Sequence, residues 1–269
     1  MIRIAGMIVT FAFCLVGALA ATKPAAEKIT CEGEYPPHMQ GICTDGTNLY
    51  WSHTVEIVKT DASGKRLVSS GRVASHHGDL CWKDGVVYVA VNLGAFNTEN
   101  KAKSWVYAYR DSDLTFLKKW PLPEAVHGAG GMTAKGDRFY VVGGLPKTHD
   151  ANYVYEYTSD FTFVKRHVLA SGWTNLGIQT VDFQQGHFIF GTYGQKRREG
   201  EKKPPSTMVA PADLSSVRFV EGDYVGEGVV RFRDKIWRAV IRCLNPKEPH
   251  AKRRFVSWIT PAQFKDSLD

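Results

Sequence analysis

One phrase, repeated five times, constrains what this chain can fold into. A polar opening, a short half-apolar strand, an Asp-Gly turn and a second strand rich in β-branched and aromatic residues fill residues 76–89. The phrase returns at 38–51 and 127–140, and more loosely at 177–189 and 226–237. Its closing residues Tyr50, Tyr88, Tyr140, Ile189 and Trp237 are 38, 52, 49 and 48 residues apart. Between the middle copies lies a second pair of period-2 strands around a tight polar turn, as at 105–120 and 153–167. Four antiparallel strands at this spacing are the unit of a β-propeller blade. The expectation is an all-β, five-bladed β-propeller of four-stranded antiparallel blades, one domain over residues 21–269. No helical period of useful length competes with it.

Closure follows from counting strands. The fifth copy lacks an outer strand, and residues 28–31 are a strand-like piece without a blade. The N-terminal segment is therefore expected to close the ring as the last blade's outer strand, which removes an open edge.

Residues 1–20 are set apart from the fold. A basic start at Arg3, an apolar run and Ala18-Leu19-Ala20 form a secretory signal pattern, short and wrongly flanked for a transmembrane span, with an uncleaved N-terminal anchor as the bland alternative. The mature protein is read as secreted or periplasmic, a monomer with no membrane span. Four of the five cysteines then remain, Cys31, Cys43, Cys81 and Cys243. One or two disulfides suit an oxidising compartment, with three pairings open and buried thiols as the alternative. The formal charge of +7 becomes +6 without Arg3. That balance points to an anionic small molecule or polysaccharide as partner, and for an exported chain not to nucleic acid.

Loop lengths separate the two faces of the ring. Turns between first and second strands are tight, whereas second-to-third connections at 92–104, 143–152, 194–206 and 243–253 are long. Long loops on a rigid scaffold carry function, so the site is expected on that face, where the inner strands begin. Those starts bring His38, Gln40, His76, His77, Asp79, His127, Gln179 and Glu227 toward the axis. Imidazoles with a Gln oxygen suit a divalent metal (Zn, Mn, Fe or Ca), and the expected ligands are His38, His77, His127 and Gln179. His76, Asp79 and Glu227 are the candidates for proton transfer. Gln40 and the basic loop residues Lys196, Arg197 and Arg198 are the candidates for holding an anionic ligand. The bland alternative for each histidine is a hydrogen bond to a neighbouring strand.

The repeats resemble secreted bacterial propellers of the YVTN, NHL and gluconolactonase-like kinds over residues 28–260. His38-Met39-Gln40-Gly41-Ile42, followed by Asp45-Gly46 and Leu49-Tyr50, is also similar to the first blade of plant-type glutaminyl cyclases. That family carries an acidic phrase where His76-His77-Gly78-Asp79 stands here. Three histidines with a glutamine resemble the metal site of propeller oligogalacturonate lyases, whose ring has seven blades. These resemblances imply a metal-dependent lyase or hydrolase acting on an anionic carbohydrate or lactone-like substrate. A non-catalytic module binding glycans or envelope partners, and a glutaminyl cyclase-like enzyme, are the competing readings.

Overall fold

The computed structural model describes residues 27–72, 76–195 and 205–265. Residues 1–20, read above as a signal pattern, and Lys196, Arg197 and Arg198 lie outside the described residues. The first strand among the described residues is β1 (Ile29–Thr30). The first blade is β2 (Met39–Thr44), β3 (Leu49–His53), β4 (Glu56–Thr60) and β5 (Arg66–Ser69). The second is β6 (His77–Lys83), β7 (Val86–Asn92), β8 (Ser104–Arg110) and β9 (Phe116–Pro121). The third is β10 (Ala129–Lys135), β11 (Arg138–Gly143), β12 (Asn152–Tyr157) and β13 (Phe163–Leu169). The fourth is β14 (Ile178–Gln184), β15 (His187–Thr192), β16 (Thr207–Pro211) and β17 (Arg218–Val220). The fifth takes β18 (Val229–Phe232), β19 (Lys235–Cys243) and β20 (Phe255–Pro261) from the end of the chain and β1 from its start. The five sheets of four antiparallel strands are the propeller that the repeat predicts.

Ring closure is as expected. Ile29 pairs with Ile259 and Thr30 with Trp258. Tyr35 and Phe255 then exchange backbone hydrogen bonds at 2.9 and 3.0 Å. A second latch was not foreseen. The segment after β20 folds back on the fourth blade, where Phe264 bridges Gly222 and Lys265 N–H donates to the Glu221 carbonyl.

The core lies in the seams between blades. In β7, Val87, Val89 and Val91 pack into the seam with the first blade, while Ala90, between them in sequence, packs into the seam with the third. Period-2 alternation in a strand covered on both faces produces this division. The seam between fourth and fifth blades is built on Ile189, Val225 and Val229, with Phe264 of the returning segment packed against it.

Cys31, Cys43, Cys81 and Cys243 are free thiols, three of them buried, so the expected disulfides do not form. The physical reason is their placement. Cys31 sits in the fifth–first seam, Cys43 in the first–second and Cys81 in the second–third. Burial pushes the Cys31 thiol up to about 12 and those of Cys43 and Cys81 well above their ordinary value. They behave as small core side chains.

Candidate functional site at the axial cavity

Four of the five inner hairpins carry the same irregularity near their start. One extra residue interrupts the ladder between Met39 and Gly41, between His77 and Leu80, between Ala129 and Gly131, and between Ile178 and Thr180. A bulge leaves a residue without a ladder partner and re-aims its neighbours. Gln40, Gly78, Gly130 and Gln179 occupy these bulges, and all four line a cavity of about 170 Å³ together with His38, His76, Phe96, Ala129, Leu176 and Tyr193. The cavity draws on four blades and opens on the long-loop face.

His38 is its chemical centre. Nδ1 lies 2.7 Å from the Met39 carbonyl, which can only accept, so the ring proton belongs on Nδ1. Nε2 is then the lone-pair nitrogen, and Gln40 Nε2 approaches it at 3.3 Å while donating also to Thr54 Oγ1 at 3.1 Å. The Glu227 carboxylate stands 3.5 Å from Nδ1. Burial works to depress the His38 imidazolium, but Glu227 and the Met39 carbonyl outweigh it and raise the pKa above 6.5. Beside this pair, Tyr193 and Tyr224 stack at 6.2 Å, and Tyr224 donates to Glu227 Oε1 at 3.3 Å. Burial, with Glu227 close by, pushes the Tyr193 phenol up to about 12. His250, from the loop between β19 and β20, meets the His38 ring edge-on at 6.1 Å. Gln179 donates to the Leu176 carbonyl at 2.6 Å. His76 is exposed at the rim, and desolvation there together with His38 lowers its pKa.

Asp79 follows the cavity-lining Gly78 but is not itself part of the lining. It is buried, and its two oxygens accept the backbone N–H of Ile42 at 3.2 Å and of Val181 at 2.9 Å. Burial raises its pKa well above the carboxylate range against the pull of these N–H groups. It ties the second blade to the first and the fourth across the axis, where the sequence reading expected proton transfer.

The expected metal quartet does not share one ion. His38 and Gln179 reach the cavity, but His77 is buried in the first–second seam with Nε2 3.1 Å from the Tyr109 hydroxyl. Burial brings its pKa down to about 4. The ladder resumes at His77, so its side chain follows the alternation of the sheet and not the axis. His127 precedes β10 and lies beside Glu99 and His149, with one donor atom of each within 4.8 Å of the others. Among the described residues this is the cluster with metal-ligand spacing. Glu99, His149, Tyr224 and His250 belong to no motif that the sequence alone singles out. The first, second and fourth stand inside the long loops already marked for function; Tyr224 precedes the fifth copy of the phrase.

No family model matches the sequence, and no curated protein matches it. No match therefore places the chain among the YVTN, NHL or gluconolactonase-like proteins. Solved structures share its architecture. Glutaminyl cyclase of Myxococcus xanthus superposes with a TM-score of 0.50 at 10% identity, over 88% of this chain and 99% of that one. A Bacteroides ovatus protein described as xyloglucan PUL GH43B gives 0.59 at 12% identity, over 87% of this chain and 54% of that one. The GH43 protein BlXynB of Bacillus licheniformis gives 0.53 at 11%, over 80% and 50%. The chain spans about half the length of these two GH43 proteins. At such identities the likeness is one of fold.

Proposed function

We propose that this chain is an exported lyase acting on an anionic, uronate-bearing carbohydrate, with His38 as the base. The observation that carries the reading is the His38–Glu227 pair at the axial cavity, with the lone-pair nitrogen Nε2 turned from its carboxylate partner. Nε2 takes the proton from the carbon beside the substrate carboxylate, and Glu227 stabilises the imidazolium that forms. The carbon–oxygen bond to the leaving sugar then breaks. Tyr193, kept protonated, supplies the proton to the departing oxygen. Export is inferred from the signal pattern in residues 1–20. Hydrolysis by the usual glycosidase route needs two carboxyl groups across the scissile bond. Among the described residues, Asp79 is committed to backbone N–H groups and Glu227 to His38, which favours elimination.

The test is a panel of uronides with two simultaneous readings, ultraviolet absorbance of an unsaturated product and new reducing ends. Both should rise together. Reducing ends without unsaturation would make the chain a hydrolase, and saturable binding without turnover a binding module. With activity in hand, His38→Ala should lower kcat/KM by roughly 10²–10⁴-fold. The base must be neutral, so activity should rise with pH through a pKa above 6.5. Glu227→Gln removes the main raising influence and leaves burial, so the acid limb should move to lower pH while kcat falls. An unmoved limb would unseat His38 as the base.

One observation favours a second reading. The Myxococcus xanthus glutaminyl cyclase matches over nearly its whole length, and the His38-Met39-Gln40-Gly41 phrase resembles plant-type cyclases. Ammonia release from a peptide with N-terminal glutamine, on the same purified protein, decides between the two.

A further inference from the structure

We propose that Glu99, His127 and His149 bind one divalent transition-metal ion, zinc foremost, which clamps the 93–103 and 144–151 loops to the rim of the long-loop face. The site is separate from the acid–base pair and does not rest on the reaction assigned to it. Its residues come from three stretches distant in sequence: the loop after β7, the approach to β10 and the loop after β11.

His127 carries the argument. Its side chain is 2% exposed, and neither ring nitrogen has a hydrogen-bond partner. A buried, unpaired imidazole nitrogen costs free energy unless something satisfies it. Nε2 faces Glu99 Oε2 at 3.4 Å, and the same oxygen lies 3.7 Å from His149 Nε2. Both separations exceed an ordinary N–H···O bond of about 2.7–3.2 Å. The 3.4 Å separation fits two ligands sharing an ion, and the 3.7 Å one needs to close by only a few tenths of an ångström. Two donors each about 2.0–2.1 Å from zinc, at the tetrahedral angle, stand roughly 3.3–3.4 Å apart.

The surroundings agree. Thr148 Oγ1 lies 3.1 Å from His149 Nδ1, so that nitrogen can donate to the hydroxyl and leave Nε2 for the ion. The His127 and His149 rings meet at 71° with centroids 4.6 Å apart, and Tyr153 stacks on His127 at 5.6 Å. The Asn97 N–H donates to the His127 carbonyl at 2.8 Å, which seats the Glu99 loop on that residue. Two imidazoles and one carboxylate suit a borderline transition ion better than magnesium or calcium, which prefer all-oxygen shells. Three protein ligands leave a fourth position for water. Phe96, in the same loop as Glu99, lines the axial cavity, so an ion here would also fix one wall of that cavity.

The test is calorimetric titration of the chelator-stripped full chain with zinc chloride, with magnesium and calcium chloride as comparisons. One zinc per chain should bind, and magnesium and calcium should bind far more weakly. His149→Ala and Glu99→Gln alter partly exposed side chains and so keep the fold. Each should weaken zinc at least tenfold while leaving the melting temperature of the metal-free protein unchanged. At a hundredfold excess over Kd, zinc should raise the wild-type melting temperature by on the order of 5 °C and leave His149→Ala unmoved. Cobalt(II) should give visible absorption bands that His149→Ala abolishes. His38→Ala should bind zinc like the wild type, which keeps this result independent of the axial chemistry. Absence of one-to-one zinc binding, or binding that neither His149→Ala nor Glu99→Gln weakens, overturns the proposal.

Discussion

His53 is fully buried, stacks on Tyr35 at 4.1 Å, and has no partner for either ring nitrogen. Burial, with repulsion from His38 and His77 behind it, brings its pKa from 6.5 down to about 3. The sign of the consequence is fixed. Between those values the unfolded chain binds a proton that the folded chain refuses, so stability is present above pH 6.5 and is lost as pH falls toward 3. Asp182 acts in the opposite sense. Burial raises its carboxyl to about 6, so its contribution is present in acid and is lost as pH rises from about 4 through 6. The whole-protein curve therefore mixes the two, and a variant is needed to separate them. His53→Phe keeps the ring on Tyr35 and removes the titration. The stability of wild type minus variant should fall by about 1.4 kcal/mol per pH unit between pH 6 and 4, read from denaturant unfolding. A flat difference would mean that His53 is protonated in the fold. At this scale the sequence is least legible. His76 and His77 are adjacent and alike in composition, yet one stands at the cavity rim and the other in a seam. Only the pairing of β6 with β7 decides which.

At the scale of the element, strands and turns were readable because alternation and tight turns are local. The bulges were not, since one unpaired residue in seven leaves the composition of a strand unchanged. They nevertheless set the cavity, by putting Gln40 and Gln179 where an unbroken ladder would not. Ring closure by β1 was legible as an arithmetic deficit of one strand. Its anchoring was not, and Gly64 shows how close it is. Gly64 has φ +92°, and a Cβ there would stand 2.0 Å from the Thr30 carbonyl oxygen of β1. Gly46 has nearly the same φ, +89°, and open space around it. Alanine at either position strains the backbone by about 1–2 kcal/mol. At Gly64 it must also push β1 off its seat. Gly64→Ala is expected to cost roughly 3 kcal/mol or more, and Gly46→Ala no more than the strain alone. Equal losses in thermal or denaturant unfolding would show that β1 yields freely and that the closure is loose.

For the whole molecule, a ring of blades passes force from neighbour to neighbour, and each seam is its own small core. Among the described residues, Asp79 departs from this pattern. From the second blade it accepts the Ile42 N–H of the neighbouring first and the Val181 N–H of the fourth, with which the second shares no seam. Its chain neighbours face opposite ways: Gly78 lines the axial cavity and Leu80 a larger one of about 440 Å³ on the tight-turn face, which Cys43, Cys81 and Asp182 help to line. A carboxylate at an inner-strand start reads in sequence as chemistry, because sequence carries no trace of the two backbone donors that occupy it. Asp79→Ala strips both N–H groups of their acceptor. An unpaired buried donor costs about 1–3 kcal/mol, so the pair should cost roughly 2–6 kcal/mol. Asp79→Asn retains one acceptor oxygen and turns an NH₂ toward the other donor, so its loss should fall between that of alanine and the wild type. Amide exchange separates a tie from mere packing. In Asp79→Ala the Ile42 and Val181 amides should lose protection well ahead of the seam residues Val89 and Phe190. A variant within 0.5 kcal/mol of wild type, with both amides still protected, would show that the ring holds its axis without Asp79.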